Sequence, residues 1–295
     1  MIEDAATVED ALARIGGKVT GQRRVAGGCI AGGSRVELDD GSRWFVKRSR
    51  TLAGDTFAAE AAGLRALRVA ALSEASGPRV PAVVAVGSGP AEAFIVMEWI
   101  EQGARGGSFA ERFGRSLARM HRHRGARRFG FDRDNYIGST PQPNGWMDSW
   151  HDFFRERRIG FQTKLAREKG LIDEPVQRDI ESIMGRLESI LPAPEFPSIL
   201  HGDLWGGNYL VDESGAPVLI DPAVYHGHRE ADLAMTELFG GFPAGFLQSY
   251  DDEWALQSGY ADRSALYNLY HMLNHANIFG SSYVSSVVAI VRRYR

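Results

Sequence analysis

Asp203, Asn208 and Asp221 stand in one short stretch, HGDLWGGNYLVDESGAPVLIDP, residues 201–222. The first carboxylate follows a tight His201-Gly202 turn, and the carboxamide comes five residues later. An apolar run, Tyr209-Leu210-Val211, passes through the polar turn Asp212-Glu213-Ser214-Gly215 into Val218-Leu219-Ile220, which ends on Asp221. The pattern predicts a β-hairpin with polar groups gathered at its two mouths. Phosphoryl transfer asks for such a set: a group that orients or deprotonates the attacking hydroxyl, and hard oxygen ligands for a Mg²⁺ ion bridging the phosphates. An Asp, an Asn five residues on and a second Asp beyond a short hairpin is the order in which kinase sites carry them. Asp203 would then face the acceptor hydroxyl. The alternative is a turn whose Asp and Asn only cap backbone groups, and the apolar run leading to the second Asp argues against it.

Such a site needs an upstream lysine on a strand, paired with a glutamate on the next helix. Lys47 ends the strand-like run Trp44-Phe45-Val46-Lys47, which pairs through the turn Asp39-Asp40-Gly41-Ser42 with Arg35-Val36-Glu37-Leu38. Glu60 lies in residues 56–70, an Ala- and Leu-rich segment that reads as helix. A short amphipathic helix is expected at 5–15, and strands at 82–87 and 93–100. From about residue 109 helical patterns dominate, so the fold class is α+β with a joint near Glu98 to Gly107. The glycine-rich segment 27–35, with Gly28, Cys29 and Ile30, precedes Lys47 and could offer backbone N–H groups to phosphates. It lacks G-x-G-x-x-G, and Ser34-Arg35 stands where a P-loop has Lys-Ser/Thr.

Composition narrows the setting. The 295 residues are 44% apolar and 24% charged, which suits a globular chain with a buried core. A net charge of −3 argues against a generalised nucleic-acid binder but leaves room for a local basic patch. No run of about 18 apolar residues predicts a membrane span, and the acidic N-terminus has no signal-peptide pattern. A single cysteine forbids an internal disulfide and suits a reducing compartment, so the expected location is cytoplasmic.

Gly202 replaces the arginine with which protein kinases grip a phosphorylated loop, Pro222-Ala223 follows Asp221 in place of Phe-Gly, and no Ala-Pro-Glu appears. A small-molecule acceptor fits better. With "GGCI", "FVK", "FGF" at 129–131, "GWMDSWHDFFRERR" at 145–158, "HGDLWGGN", "DPAVYHGHRE", "ELFGGFP" and "LYHMLNHANIFG", the chain resembles the fructosamine-3-kinase (ketosamine-3-kinase) family, relatives of aminoglycoside phosphotransferases and choline kinases. The resemblance implies a two-lobed, protein-kinase-like fold with an ATP-binding N-lobe (1–98), a catalytic, acceptor-binding C-lobe (99–295) and ATP-Mg²⁺ between them. It implies phosphorylation of the 3-hydroxyl of a ketosamine, either a small sugar-amine or a glycated lysine, as in deglycation repair. On its motifs Asp203 would be the base, Asn208 and Asp221 the metal ligands, and Lys47 the phosphate contact oriented by Glu60. Glu98 and Trp99 would form the hinge where backbone meets adenine, and Trp205 a platform for the sugar or a ring of the core.

Other readings stay open on the sequence: an aminoglycoside or choline kinase, a nucleotide-binding pseudokinase, or a nucleic-acid binder using the basic run Arg112–Arg128. The pair His271 and His275, with His226 and His228, reads as core or surface rather than as a metal site. Cys29 has only the Cys29 of a second chain to pair with, so the protein is expected as a monomer or as a redox-linked dimer.

Overall fold

The computed structural model describes residues 2–3, 5–25, 32–51, 55–73, 77–89 and 92–295. Helix α1 (Val8–Ile15) leads into a five-stranded antiparallel sheet of β1 (Val19–Val25), β2 (Gly32–Leu38), β3 (Arg43–Ser49), β4 (Val83–Ser88) and β5 (Ala93–Glu98), in the order β1-β2-β3-β5-β4. Helix α2 (Thr56–Ser73) is inserted between β3 and β4. Strand β5 is apolar from Ala93 to Met97 because both of its faces are covered. Phe94 and Val96 share a small core with Val46, Leu38 and the α1 residues Val8 and Leu12, while Ile95 and Met97 join Phe57 and Leu64 of α2 in the main core. The same two-residue alternation turns Phe45 and Lys47 of β3 away from the α1 core, toward a cleft. The Asp-Gly turn closes β2 onto β3, with Gly41 at φ +81° and the Asp40 side chain accepting from Ser42 N at 2.8 Å.

The remainder is largely helical. Helix α3 (Phe109–His121) precedes the short hairpin β6 (Asn135–Ile137) and β7 (Thr140–Gln142). Then α4 (Trp150–Phe153) runs through one π-helical turn, Phe154–Gly160, into α5 (Phe161–Glu168), followed by α6 (Glu174–Met184) and α7 (Leu187–Ile190). Strand β8 (Ser198–Leu200) comes next, then the hairpin β9 (Tyr209–Val211) and β10 (Pro217–Leu219), and β11 (Tyr225–Gly227). Helices α8 (Glu230–Leu238), α9 (Phe246–Glu253), α10 (Tyr260–Phe279) and α11 (Val284–Tyr294) complete the chain. The pairs β6–β7 and β8–β11 and the π-turn lie outside the sequence reading. Three-residue strands are too short to show a periodicity, and their pairing is set by long-range contacts. Helix α2 runs three residues past the expected 56–70, and β5 stops at Glu98 rather than at residue 100.

The basic run is absorbed by the fold. Arg115 pairs with Glu111, Arg119 and Arg122 with Glu253, Arg124 with Glu195 and Arg128 with Asp148, while Arg112 donates to Gly215 O. A solvated, paired helix face is the physical reading. Among the described residues no helix is long and apolar enough to cross a membrane.

The two halves meet at several places. Asp55, just before α2, accepts from Tyr136 OH at 2.7 Å, and an added Cβ on Gly63 would come 3.0 Å from Val224 Cγ2, so α2 lies directly on the segment after Asp221. Gly103 N donates to Val211 O at 3.0 Å, laying the linker after β5 along the β9–β10 hairpin. Arg79 reaches both sides, pairing with Glu98 and, at 2.7 Å, with Asp212 Oδ2. Burial alone would raise the Asp212 carboxyl, but hydrogen bonds from Ser214, Arg79 and the turn backbone outweigh it and hold the group at about 2. Removing the guanidinium in Arg79→Ala leaves that carboxylate in the turn without its cation. Because Arg79 is about one-third exposed, the expected loss is about 1 kcal/mol, read as a lower urea midpoint at pH 7 that is smaller in the Asp212→Asn background.

Candidate active site

Strand β3 and helix α2 bring Lys47 Nζ to 2.8 Å from Glu60 Oε1, and the same ammonium bonds Asp221 Oδ1 across the cleft. All three groups are largely shielded from water. Burial alone would lower the Lys47 pKa, yet the two carboxylates outweigh it and push the pKa up; burial, against the pull of Lys47, raises that of Glu60. Asp221 has φ +55°, the one non-glycine residue with positive φ among those described. That backbone is strained for an L-residue and persists only where its surroundings hold it.

The stretch 201–208 forms the other side. Asn208 Nδ2 donates to Asp203 O at 2.8 Å and to Asp203 Oδ2 at 3.1 Å, and lies 3.4 Å from Asp221 O. One carboxamide thus touches both acidic residues. Ile220 N donates to Asn208 O, which registers the two ends of the hairpin. Gly202 sits at φ +80°, and a Cβ there would lie 2.0 Å from Ala223 O, so no side chain fits where protein kinases carry arginine. The Asp203 carboxyl is raised to about 7: burial is the main cause, Asp221 and Asp232 add to it, and the Asn208 hydrogen bond opposes it.

Asp232 was not legible as a site residue. It is fully buried on α8, accepting from His201 N at 2.6 Å and Gly202 N at 2.8 Å, with His121 Nε2 at 3.3 Å. Burial would raise its carboxyl, but His121 and these backbone amides overcome it and keep the pKa low. His201, its own pKa lowered by burial, bonds Ile220 O through Nε2 and receives Asp203 N at Nδ1, which fits the Nε2–H tautomer. The only available sequence signal was the position of Asp232, eleven residues past Asp221 on the following helix.

Between sheet and hairpin lies a cavity of about 370 Å³. Phe45, Met97 and Trp99 wall it from the sheet side, Leu210 and Ile220 from the hairpin, and Lys47, Asn208 and Asp221 stand at its polar end. Glu98 lines it too, with its carboxylate committed to Arg79 and to Ala82 N. Trp205 is half-buried at the cleft and meets the ring of Phe239 edge-on at 6.4 Å. Gly28, Cys29 and Ile30 lie outside the described residues. His226, His228 and His271 are buried, and His275 Nδ1 bonds His271 O at 2.8 Å; among the described residues no three His, Cys, Asp or Glu gather as a metal cluster.

Residues 2–295 match the family model for fructosamine kinase. This chain belongs to the fructosamine kinase family. A Synechocystis protein named a probable ketoamine kinase is 42% identical over 269 residues, covering 90% of this chain and 87% of its own. A protein-ribulosamine 3-kinase, chloroplastic, of Arabidopsis thaliana is 39% identical over 274 residues, covering 92% and 81%. A solved structure from Thermobifida fusca, named as an unproven fructosamine-3-kinase, superposes with a TM-score of 0.85 at 33% identity, covering 98% of this chain and 99% of that one. The fold is the two-lobed, protein-kinase-like one of this family.

The segment after Asp221, which in protein kinases is set by phosphorylation, is held here by a buried polar clamp. Asn135 Nδ2 donates to Val224 O at 2.8 Å, and Gln142 Nε2 to Ala223 O at 3.0 Å and Asn135 Oδ1 at 2.7 Å. Asn144 Nδ2 reaches Asn135 Oδ1 at 2.9 Å, and Tyr270 OH bonds Gln142 Oε1. Arg158, fully buried in the π-turn, donates to Asn144 Oδ1 at 2.6 Å and lies 3.9 Å over the Tyr225 ring. No carboxylate pairs with it among the described residues; amide oxygens and aromatic faces surround the charge. The sequence offered no signal for this, because each member is an ordinary polar residue far from the motif.

A carboxyl raised to about 7 means that the folded protein keeps a proton which the unfolded chain has already released above about 4. Stability is therefore lost as pH rises between those values, by up to about 4 kcal/mol at roughly 1.4 kcal/mol per pH unit. Asp203→Asn, which keeps an acceptor for Asn208, is expected to melt several degrees above wild type at pH 8, with the excess cut to less than half at pH 5. Equal melting shifts at both pH values would show that the Asp203 carboxyl is not raised.

Proposed function

We propose that this chain transfers the γ-phosphoryl group of ATP to the 3-hydroxyl of a ketosamine, a fructosamine or ribulosamine. The arrangement of Lys47, Glu60, Asp203, Asn208 and Asp221 around one cleft supports the reading, and the names of the relatives supply the acceptor. Residues 1–98 form the ATP-binding lobe in this proposal, and 99–295 the lobe that carries catalysis and acceptor.

Adenine lies between Phe45 and Met97 on one side and Leu210 and Ile220 on the other, against the backbone of Glu98 and Trp99. The backbone is the useful part of Glu98, since its carboxylate is held by Arg79. Lys47, kept charged by its partners and aimed by Glu60, contacts the phosphates, and the backbone N–H groups of Gly28, Cys29 and Ile30 are proposed as further phosphate donors on the sequence alone. Asn208 and Asp221 are the oxygen ligands for Mg²⁺, hard donors of the kind a divalent cation prefers, with the Asp203 carboxyl beside them. When bound, that ion neutralises the charge that develops on the transferring group.

Asp203 orients the sugar hydroxyl and takes its proton. Asn208, bonded to Asp203 Oδ2 and to its backbone, keeps the carboxylate turned toward the acceptor. Trp205 forms one wall for the sugar. Most of the rate comes from holding acceptor and phosphate in line within a site whose charges are set in advance. Deglycation of small sugar-amines or glycated lysines is the proposed role. The single cysteine suits a reducing compartment such as the cytoplasm.

ATP consumption with Mg²⁺ tests the reading on fructose-lysine, ribulose-lysine, an aminoglycoside and choline. Turnover with a ketosamine is expected, and Asp203→Asn should lower kcat by about 10² or more. Turnover confined to the aminoglycoside or to choline overturns the acceptor assignment. The base must be ionised to act, so kcat/KM should rise with pH through about 7 and level off above it. A profile that is flat from pH 5.5 to 8.5 removes Asp203 as the titrating base.

A further inference from the structure

Five large apolar side chains stand exposed among the described residues, and two of them, Phe239 (42%) and Phe279 (57%), flank the same ring, His275. Phe239 lies 4.8 Å from His275, and Phe279 lies 5.6 Å from it; Tyr283 is 5.2 Å from His275 and 5.8 Å from Phe279. Phe239 also meets Trp205 edge-on. The rings form a continuous strip that begins two residues past Asp203 and crosses the C-terminal part of α10. Single exposed apolar residues are ordinary, whereas a contiguous apolar patch beside a cleft marks a binding surface.

The strip continues the candidate site. Gly240 and Gly241, which follow Phe239, lie against Gly206 of the catalytic stretch, where an added Cβ would come 2.8 Å from Gly240 O. His275 and Phe279 are one helical turn apart on α10 and present one face. Nothing in the described chain covers the outer faces of Phe239 and Phe279.

The proposed reaction limits what can lie there. In a ketosamine the amine nitrogen is on C1, two carbons from the C3 hydroxyl that Asp203 must reach. The amine and whatever carries it therefore leave the sugar close to Trp205. A secondary ammonium on an alkyl chain is complementary to aromatic faces through cation–π contact and apolar burial. We propose that Phe239, Phe279 and Tyr283 form a subsite for the carrier of the amine, a lysine side chain on a peptide. This assignment rests on the ketosamine kinase reading and goes beyond it by naming the surface that selects a peptide-borne acceptor over a small one.

The test compares Phe239→Ala and Phe279→Ala with wild type on two acceptors, fructosyl-glycine and a blocked peptide bearing Nε-fructosyl-lysine. Both side chains are exposed, so the variants should fold, and circular dichroism checks it. Expected is a loss of about tenfold in kcat/KM for the peptide, carried by KM, with fructosyl-glycine and the KM for ATP unchanged. Equal losses on both acceptors, or none on either, overturn the subsite while leaving the reaction standing. A wild type that turns over neither acceptor overturns the reaction, and the subsite falls with it. Sedimentation gives the remaining outcome: a wild-type dimer that Phe279→Ala converts to monomer makes the strip an interface between two copies and overturns the carrier assignment.

Discussion

The arrangement of the cleft depends on one buried ammonium. Lys47 comes from the sheet, Glu60 from the helix inserted into it, and Asp221 from the end of a hairpin 174 residues away in the chain. An ion taken out of water is tolerable only when its partners stay in place, and removing any one of them leaves an uncompensated charge. The ion pair therefore acts as a constraint on three elements at once. It holds α2 inward, fixes the depth of β3 against the hairpin, and gives the strained Asp221 backbone a reason to persist.

The stretch 201–208 is held from behind in a comparable way. Asp232 gathers the amides of His201 and Gly202, so the turn that presents Asp203 is bonded to a helix core. The segment after Asp221 is gripped by amides whose acceptors are in turn occupied, ending at Arg158. A protein kinase sets the corresponding region through phosphorylation and an arginine. Here the glycine at 202 leaves no room for that arginine, and neutral hydrogen bonds plus a cation under aromatic rings hold the same stretch permanently. Charge on a regulatory loop has been replaced by packing.

Much of this was legible because the site is written in local order. The Asp203 to Asn208 spacing, the hairpin and Asp221 occupy 19 consecutive positions, and the alternation of β3 indicates which way Lys47 points once Val46 is assigned to the core. Helix α2 and strands β2 to β5 carry clear periodicity or turn chemistry. The polar clamp was not legible, since Asn135, Gln142, Asn144, Arg158 and Tyr270 acquire meaning only when distant segments meet. The aromatic strip was hidden for a related reason. Phe239, His275 and Phe279 resemble ordinary core residues, and only the finished surface leaves two of their rings uncovered.

The main apolar core passes through both halves: Phe57, Leu64, Ile95 and Met97 belong to the same continuous cluster as Phe113, Leu200 and Val224. Swinging the halves apart as rigid bodies would bring water onto that cluster and break the Gly63 contact with Val224. Access to the cavity is thereby confined to the open margin of the cleft, on the side of Trp205. The cleft stays assembled, so the ease with which a bound molecule leaves it becomes a property of that margin rather than of the whole molecule.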